Sequence, residues 1–161
     1  MSERKETRGQ FITGARDPVS GQRWVHVTGE MVAAHPQGRL NLALYAVVVF
    51  LFGMAAWRLV LWTFVFGGVW MGVEVVFFLL AAAALFFRLP PGGWMGITAC
   101  AMILVDFATG MKGAWGGQLW ALGEAVAAVA AGFYLLTGER PNFIYRHRYL
   151  AGDAGEGGSD V

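Results

Sequence analysis

The chain has 161 residues, 57% of them apolar and only 14% charged, with a mean hydropathy of +0.52 and a formal net charge of +1. A soluble domain carries about 25% charged residues, so the composition excludes an ordinary water-soluble globule, and the balanced charge argues against a general nucleic-acid binder. One cysteine, Cys100, rules out an intrachain disulfide and a cysteine metal cluster.

Residues 1–39 form a polar arm without the apolar stretch of a cleavable leader, so the first span is expected to direct its own insertion. Within the arm, Phe11-Ile12-Thr13 and Arg23-Trp24-Val25-His26-Val27 flank the turn Asp17-Pro18-Val19-Ser20-Gly21 and predict two short strands. Glu30 to His35 predicts a short interfacial helix ahead of Pro36.

From about residue 40 to 137 the apolar content is nearly continuous. A transmembrane helix needs roughly 20 apolar residues, so the block has room for four. Span 1 is expected from Asn41 to Phe66 and span 2 from Val69 to Phe87, separated by Gly67-Gly68. The turn Arg88-Leu-Pro-Pro-Gly-Gly93 ends one helix and begins the next. Span 3 covers Trp94 to Met111, a turn runs from Lys112 to Gly117, and span 4 covers Gln118 to Thr137. The expected fold is therefore an all-α integral membrane domain over 40–137. Its four transmembrane helices form two antiparallel hairpins, with cytoplasmic tails at 1–39 and 138–161. In the second tail Arg146, His147, Arg148 and Tyr149 mix cationic and aromatic side chains, as suits a cytoplasmic interface at the lipid headgroups. The Gly- and acid-rich residues 151–161 are expected to be disordered.

Four spans put ten of the 12 basic residues on one side: Arg4, Lys5, Arg8, Arg16, Arg23, Arg39, Arg88, Arg140, Arg146 and Arg148. The positive-inside rule then places both termini in the cytoplasm. The Ala-, Gly- and Arg-rich composition suggests a bacterial inner membrane.

The two remaining turns echo each other. Gly67-Gly68 precedes Trp70 and Glu74, and Gly116-Gly117 precedes Trp120 and Glu124. A Trp and a Glu four residues apart share a helix face. Two related hairpins would produce this echo, and so would convergent interfacial chemistry, which favours Gly in turns and Trp at membrane surfaces.

Four ionisable residues interrupt the spans: Arg58, Glu74, Asp106 and Glu124. A charge at mid-membrane costs about 2.5–3.5 kcal/mol on insertion scales, so such residues are paired or functional. Counted from the neighbouring turns, all four lie about 9–12 Å deep and on the same side. Arg58 and Glu74 stand on consecutive antiparallel helices and are expected to pair. That leaves Asp106 and Glu124 as two acids with no partner of their own, and Lys112 within reach of Asp106. Small residues mark the helix contacts: Gly68 and Gly72 at the start of span 2, and Ala121, Ala128 and Gly132 along the face of Glu124. Gly92 and Gly96 repeat the same spacing at the start of span 3.

His26, His35 and His147 all fall in the tails, so haem ligation inside the bundle is not expected, nor is a metal or any other cofactor. No phosphate-binding loop, nucleophile elbow or helical metalloprotease motif is present. The expected function is non-enzymatic: an accessory or scaffold subunit of a larger membrane complex, contacting lipid and a membrane-protein partner or its own copies. The alternative is a small oligomeric transporter, or a proton- or cation-conducting protein, that uses the intramembrane carboxylates.

Overall fold

The computed structural model describes residues 12–16, 23–26, 29, 32, 35, 38–65, 68–110 and 115–151. Four long helices dominate it: α1 (Leu42–Val65), α2 (Val69–Phe86), α3 (Gly92–Gly110) and α4 (Trp115–Thr137). All four contain a stretch long and apolar enough to cross a membrane. A short helix, α5 (Glu139–Arg146), follows them. Among the described residues there are also three strands: β1 (Ile12–Arg16), β2 (Arg23–His26) and β3 (Arg148–Ala151). Most of the expected helix over 30–35, Lys112 and the acid-rich residues from 152 onward lie outside the described residues.

Asn41 starts α1. Its Oδ1 accepts the Leu44 amide at 3.0 Å, satisfying one of the orphan donors of the first turn. The same oxygen accepts the Tyr134 hydroxyl at 3.0 Å, which ties the start of α1 to the end of α4. The 24 residues of α1 give a rod of about 36 Å, enough to cross a bilayer core with some tilt.

The end of α2 departs from expectation. Arg88 takes up a left-handed conformation (φ 57°), a position usually held by Gly. Its amide donates to Leu85 O at 3.2 Å and the Leu89 amide to Ala84 O at 2.9 Å, the paired bonds that close a helix C-terminus. The Arg88 guanidinium also reaches back to Gly38 O at 3.1 Å. Helix α3 then begins at Gly92, two residues earlier than expected, because Gly92 and Gly96 let its first turns sink into their neighbours. A Cβ at Gly92 would lie 2.7 Å from Ala84 O, and one at Gly96 would lie 2.8 Å from a Leu135 methyl.

Helix α1 packs along α2, α2 against α3, and α3 along α4. The buried core runs through all four, with Leu51, Phe78, Ala81, Ile103, Ala128 and Leu135 at its centre.

The expected strands of the arm are present and antiparallel, with an irregularity between Thr13 and Arg16. Their sheet has a third member that the sequence reading did not anticipate. Strand β3 pairs antiparallel with β2, from Arg23 opposite Ala151 to His26 opposite Arg148, in the order β1-β2-β3. The segment before β3 turns inward: Pro141, Asn142, Phe143, Ile144 and Tyr145 are buried in α5. The Tyr145 hydroxyl donates to Leu85 O at 2.7 Å, Arg146 stacks over Trp94 at 4.8 Å, and His35 meets the edge of Phe143.

Candidate functional site

The four span ionisables divide three to one. Arg58 on α1 donates from Nη2 to Asp106 Oδ2 on α3 at 2.7 Å, and its Nη1 lies 3.6 Å from Glu74 Oε2 on α2. The side chains are only 15% (Arg58), 3% (Glu74) and 24% (Asp106) exposed. Three consecutive helices thus converge on one guanidinium. Arg58 points inward and meets both acids, the expected Glu74 on the next helix and, more closely, Asp106 on α3. Trp70 stands one turn before Glu74 on the same face of α2. Asp106 is therefore not an unpartnered acid, and no ion pair joins it to Glu124 among the described residues.

This cluster has one positive and two negative groups. A planar guanidinium matches two acceptors with its fork of donors, and the 2.7 Å contact has the length of a charge-assisted bond. Its chemistry is to fix the rotation and register of α1, α2 and α3 around one point. Arg58 Nε and Glu74 Oε2 remain without hydrogen bonds.

Glu124 stands apart, in the wall of a seam between α1 and α4. Its Oε1 is buried and has no hydrogen-bond partner among the described residues. Beside it lies a cavity of about 470 Å³ lined by Val49, Gly53, Trp57, Trp120 and Gly123 among others. A second cavity of about 330 Å³ continues along the same seam to Tyr134, and both touch Phe50. The seam is closed at one end by the Asn41–Tyr134 bond and crossed near the other by Trp57 against Trp120, 6.1 Å apart and edge to face.

The residues expected at helix contacts sort unevenly. Gly72 lies against Trp62 of α1, and Gly132 faces Cys100 of α3. Ala128 is fully buried and Ala121 half-buried. Gly68 does not serve packing: it is exposed, caps α2, and a Cβ there would meet nothing within 4 Å. The echo between the turns also breaks here. Gly68 precedes its helix, whereas Gly116 and Gly117 lie inside the first turn of α4, which begins at Trp115.

At the other end of the bundle, Arg146 donates to Asn142 Oδ1 at 3.0 Å, and His147 caps α5 in a left-handed conformation (φ 50°). Arg148 and Tyr149 belong to β3. Burial pushes the Tyr145 phenol well above the ordinary tyrosine range, against a smaller lowering effect of Arg88. Burial, followed by the like charge of Arg148, lowers the pKa of Arg146. Sequence reasoning missed Asn142, whose Nδ2 donates to Gly138 O at 2.9 Å. The available signal was the pattern of α5 itself, with Glu139 and Pro141 in its first turn and Arg146 in its last.

Comparison with protein-family models, characterised proteins and solved structures finds no match.

Proposed function

We propose that this chain is a non-enzymatic accessory or scaffold subunit of a larger membrane complex, set in a bacterial inner membrane as two helical hairpins with both termini in the cytoplasm. The observation that carries the reading is the joining of the two ends of the chain. The arm contributes β1 and β2, the tail contributes β3, and α5 ties the sheet to the bundle through Tyr145 and Leu85. A small membrane protein that builds one composite platform from both ends has a surface to present. The concentration of basic residues in the segments that form this platform supports its cytoplasmic placement.

The charged cluster supports the same reading. Arg58 holds Asp106 and faces Glu74, so three of the four span ionisables brace helices against one another. The conducting alternative relies on Asp106 and Glu124 acting together, and the Arg58 bond to Asp106 weighs against it.

Extraction in mild detergent, followed by native mass spectrometry, is expected to return the chain with a stoichiometric membrane-protein companion. Val25→Pro removes a backbone donor from the central strand of the sheet and is expected to release that companion while the bundle stays folded. Recovery of the wild-type chain alone would sink the proposal.

A further inference from the structure

Threonine hydroxyls in the four long helices are satisfied within the chain. Thr63, Thr98, Thr109 and Thr137 each donate to the carbonyl four residues earlier, at 2.8–3.0 Å. That is how a hydroxyl is satisfied where water is absent. Arg58 binds Asp106 and faces Glu74. Glu124 Oε1 lacks a hydrogen bond, as Arg58 Nε and Glu74 Oε2 do, but it alone is buried beside a cavity of about 470 Å³ and outside the Arg58 cluster.

We propose that the seam cavity walled by Trp57, Trp120 and Glu124 binds an amphiphilic organic cation, its apolar body between α1 and α4 and its positive centre at the Glu124 carboxylate. Three observations converge on this ligand class. The volume falls within the roughly 300–1,000 Å³ of small-molecule sites, and the lining is apolar with a single ionisable group, the usual makeup of such a site. A buried carboxylate oxygen without a hydrogen bond is costly, so a guest that brings a positive charge to Glu124 Oε1 gains more here than a neutral one. Indole rings attract cations through their negative faces, and two of them stand at this wall. A lipid tail would fill the space and leave Oε1 unmatched. A second copy of the chain brings no suitable charge, because Arg58 is the only cation within α1–α4 among the described residues and is already engaged. The proposal does not depend on the accessory-subunit reading.

The test uses the full chain in nanodiscs of neutral lipid and two probes of one shape and opposite charge, tetraphenylphosphonium and tetraphenylborate. Saturable equilibrium binding of the cation is expected, with no competition from the anion. Glu124→Gln is expected to weaken binding by about tenfold or more. Gly53→Leu tests the cavity independently of the charge. Gly53 lines the cavity and a Cβ there meets nothing within 4 Å, so a leucine side chain is expected to occupy the seam and abolish binding, with folding checked by thermal unfolding. The idea is overturned if wild-type chain shows no saturable phosphonium site, if the borate competes equally, or if folded Glu124→Gln binds as tightly as wild type. Equal binding of both probes would mark the seam as a lipid-tail groove. Retained binding in Gly53→Leu would place the cation elsewhere and overturn the assignment too.

Discussion

The contact of α2 with α3 and the seam between α1 and α4 use the same small residues to opposite ends. At the first, Gly92 and Gly96 let backbone approach backbone, and Leu85, Leu135 and Tyr145 fill what remains. At the second, Gly53 and Gly123 face open space, and the alanines near them line a cavity instead of a contact. Glycine spacing alone therefore does not make a helix contact. What separates the two regions is the presence of a large side chain or a carbonyl opposite the glycine. Helices in lipid associate through close packing and polar contacts, since lipid tails are as apolar as leucine. The tight side has both, and the open side has only its two end clamps.

Substitutions on either side test this difference. The largest effect is expected from Arg58→Leu, which strands Asp106 and Glu74 without their cation. Removing one partner of a buried pair costs about 3 kcal/mol or more, read as a lower midpoint in denaturing-detergent titration. Replacing Arg58 and Asp106 together by Leu should recover part of that loss; no recovery would show that the pair does not brace the bundle. Gly92→Ala comes next, at about 1–3 kcal/mol, because the added methyl runs into a backbone carbonyl that cannot rotate away. A neutral result would mean that α2 and α3 are less intimately packed than described.

Tyr145 offers a smaller effect with a pH signature. Its phenol is held protonated above the ordinary tyrosine pKa of about 10. The stability it contributes is complete below that pH. It declines as the pH rises further, because the unfolded chain releases the proton and the folded chain keeps it. Tyr145→Phe is expected to cost about 1 kcal/mol at neutral pH and to flatten the alkaline decline. An unchanged slope would assign it to other groups. The smallest shift belongs to Gly53→Ala. With nothing within 4 Å of the new methyl, helix propensity alone acts, and stability is expected to rise by about 0.5 kcal/mol. A loss instead would show that the seam is filled.

Much of this architecture is legible from local signals. Apolar run length locates the four helices, and the arm strands follow from alternation around a Pro- and Gly-bearing turn. Depth counting puts the four ionisables in reach of one layer. It does not say which helices face which, so it gives Arg58 its neighbour Glu74 and misses the closer Asp106. That second contact depends on how α3 is rotated against α1 and α2, a tertiary property without a sequence period. The inward packing of α5 is tertiary: Phe143, Ile144 and Tyr145 are buried, and the Tyr145 hydroxyl reaches Leu85 O on α2. Strand β3 carries little signal of its own, since its partner lies more than a hundred residues earlier in the chain.

That last separation has a consequence for how the molecule is made. His26 is opposite Arg148, 122 residues later. At about 5–20 residues per second of synthesis, β2 waits roughly 6–24 s with one edge unpaired, while four helices are threaded between it and its partner. An unpaired edge is an invitation to other strands, and only emergence of the tail withdraws it. The sheet therefore reports completion: a nascent chain stopped anywhere in its four spans carries a bare β2 edge, which β3 covers in the finished protein.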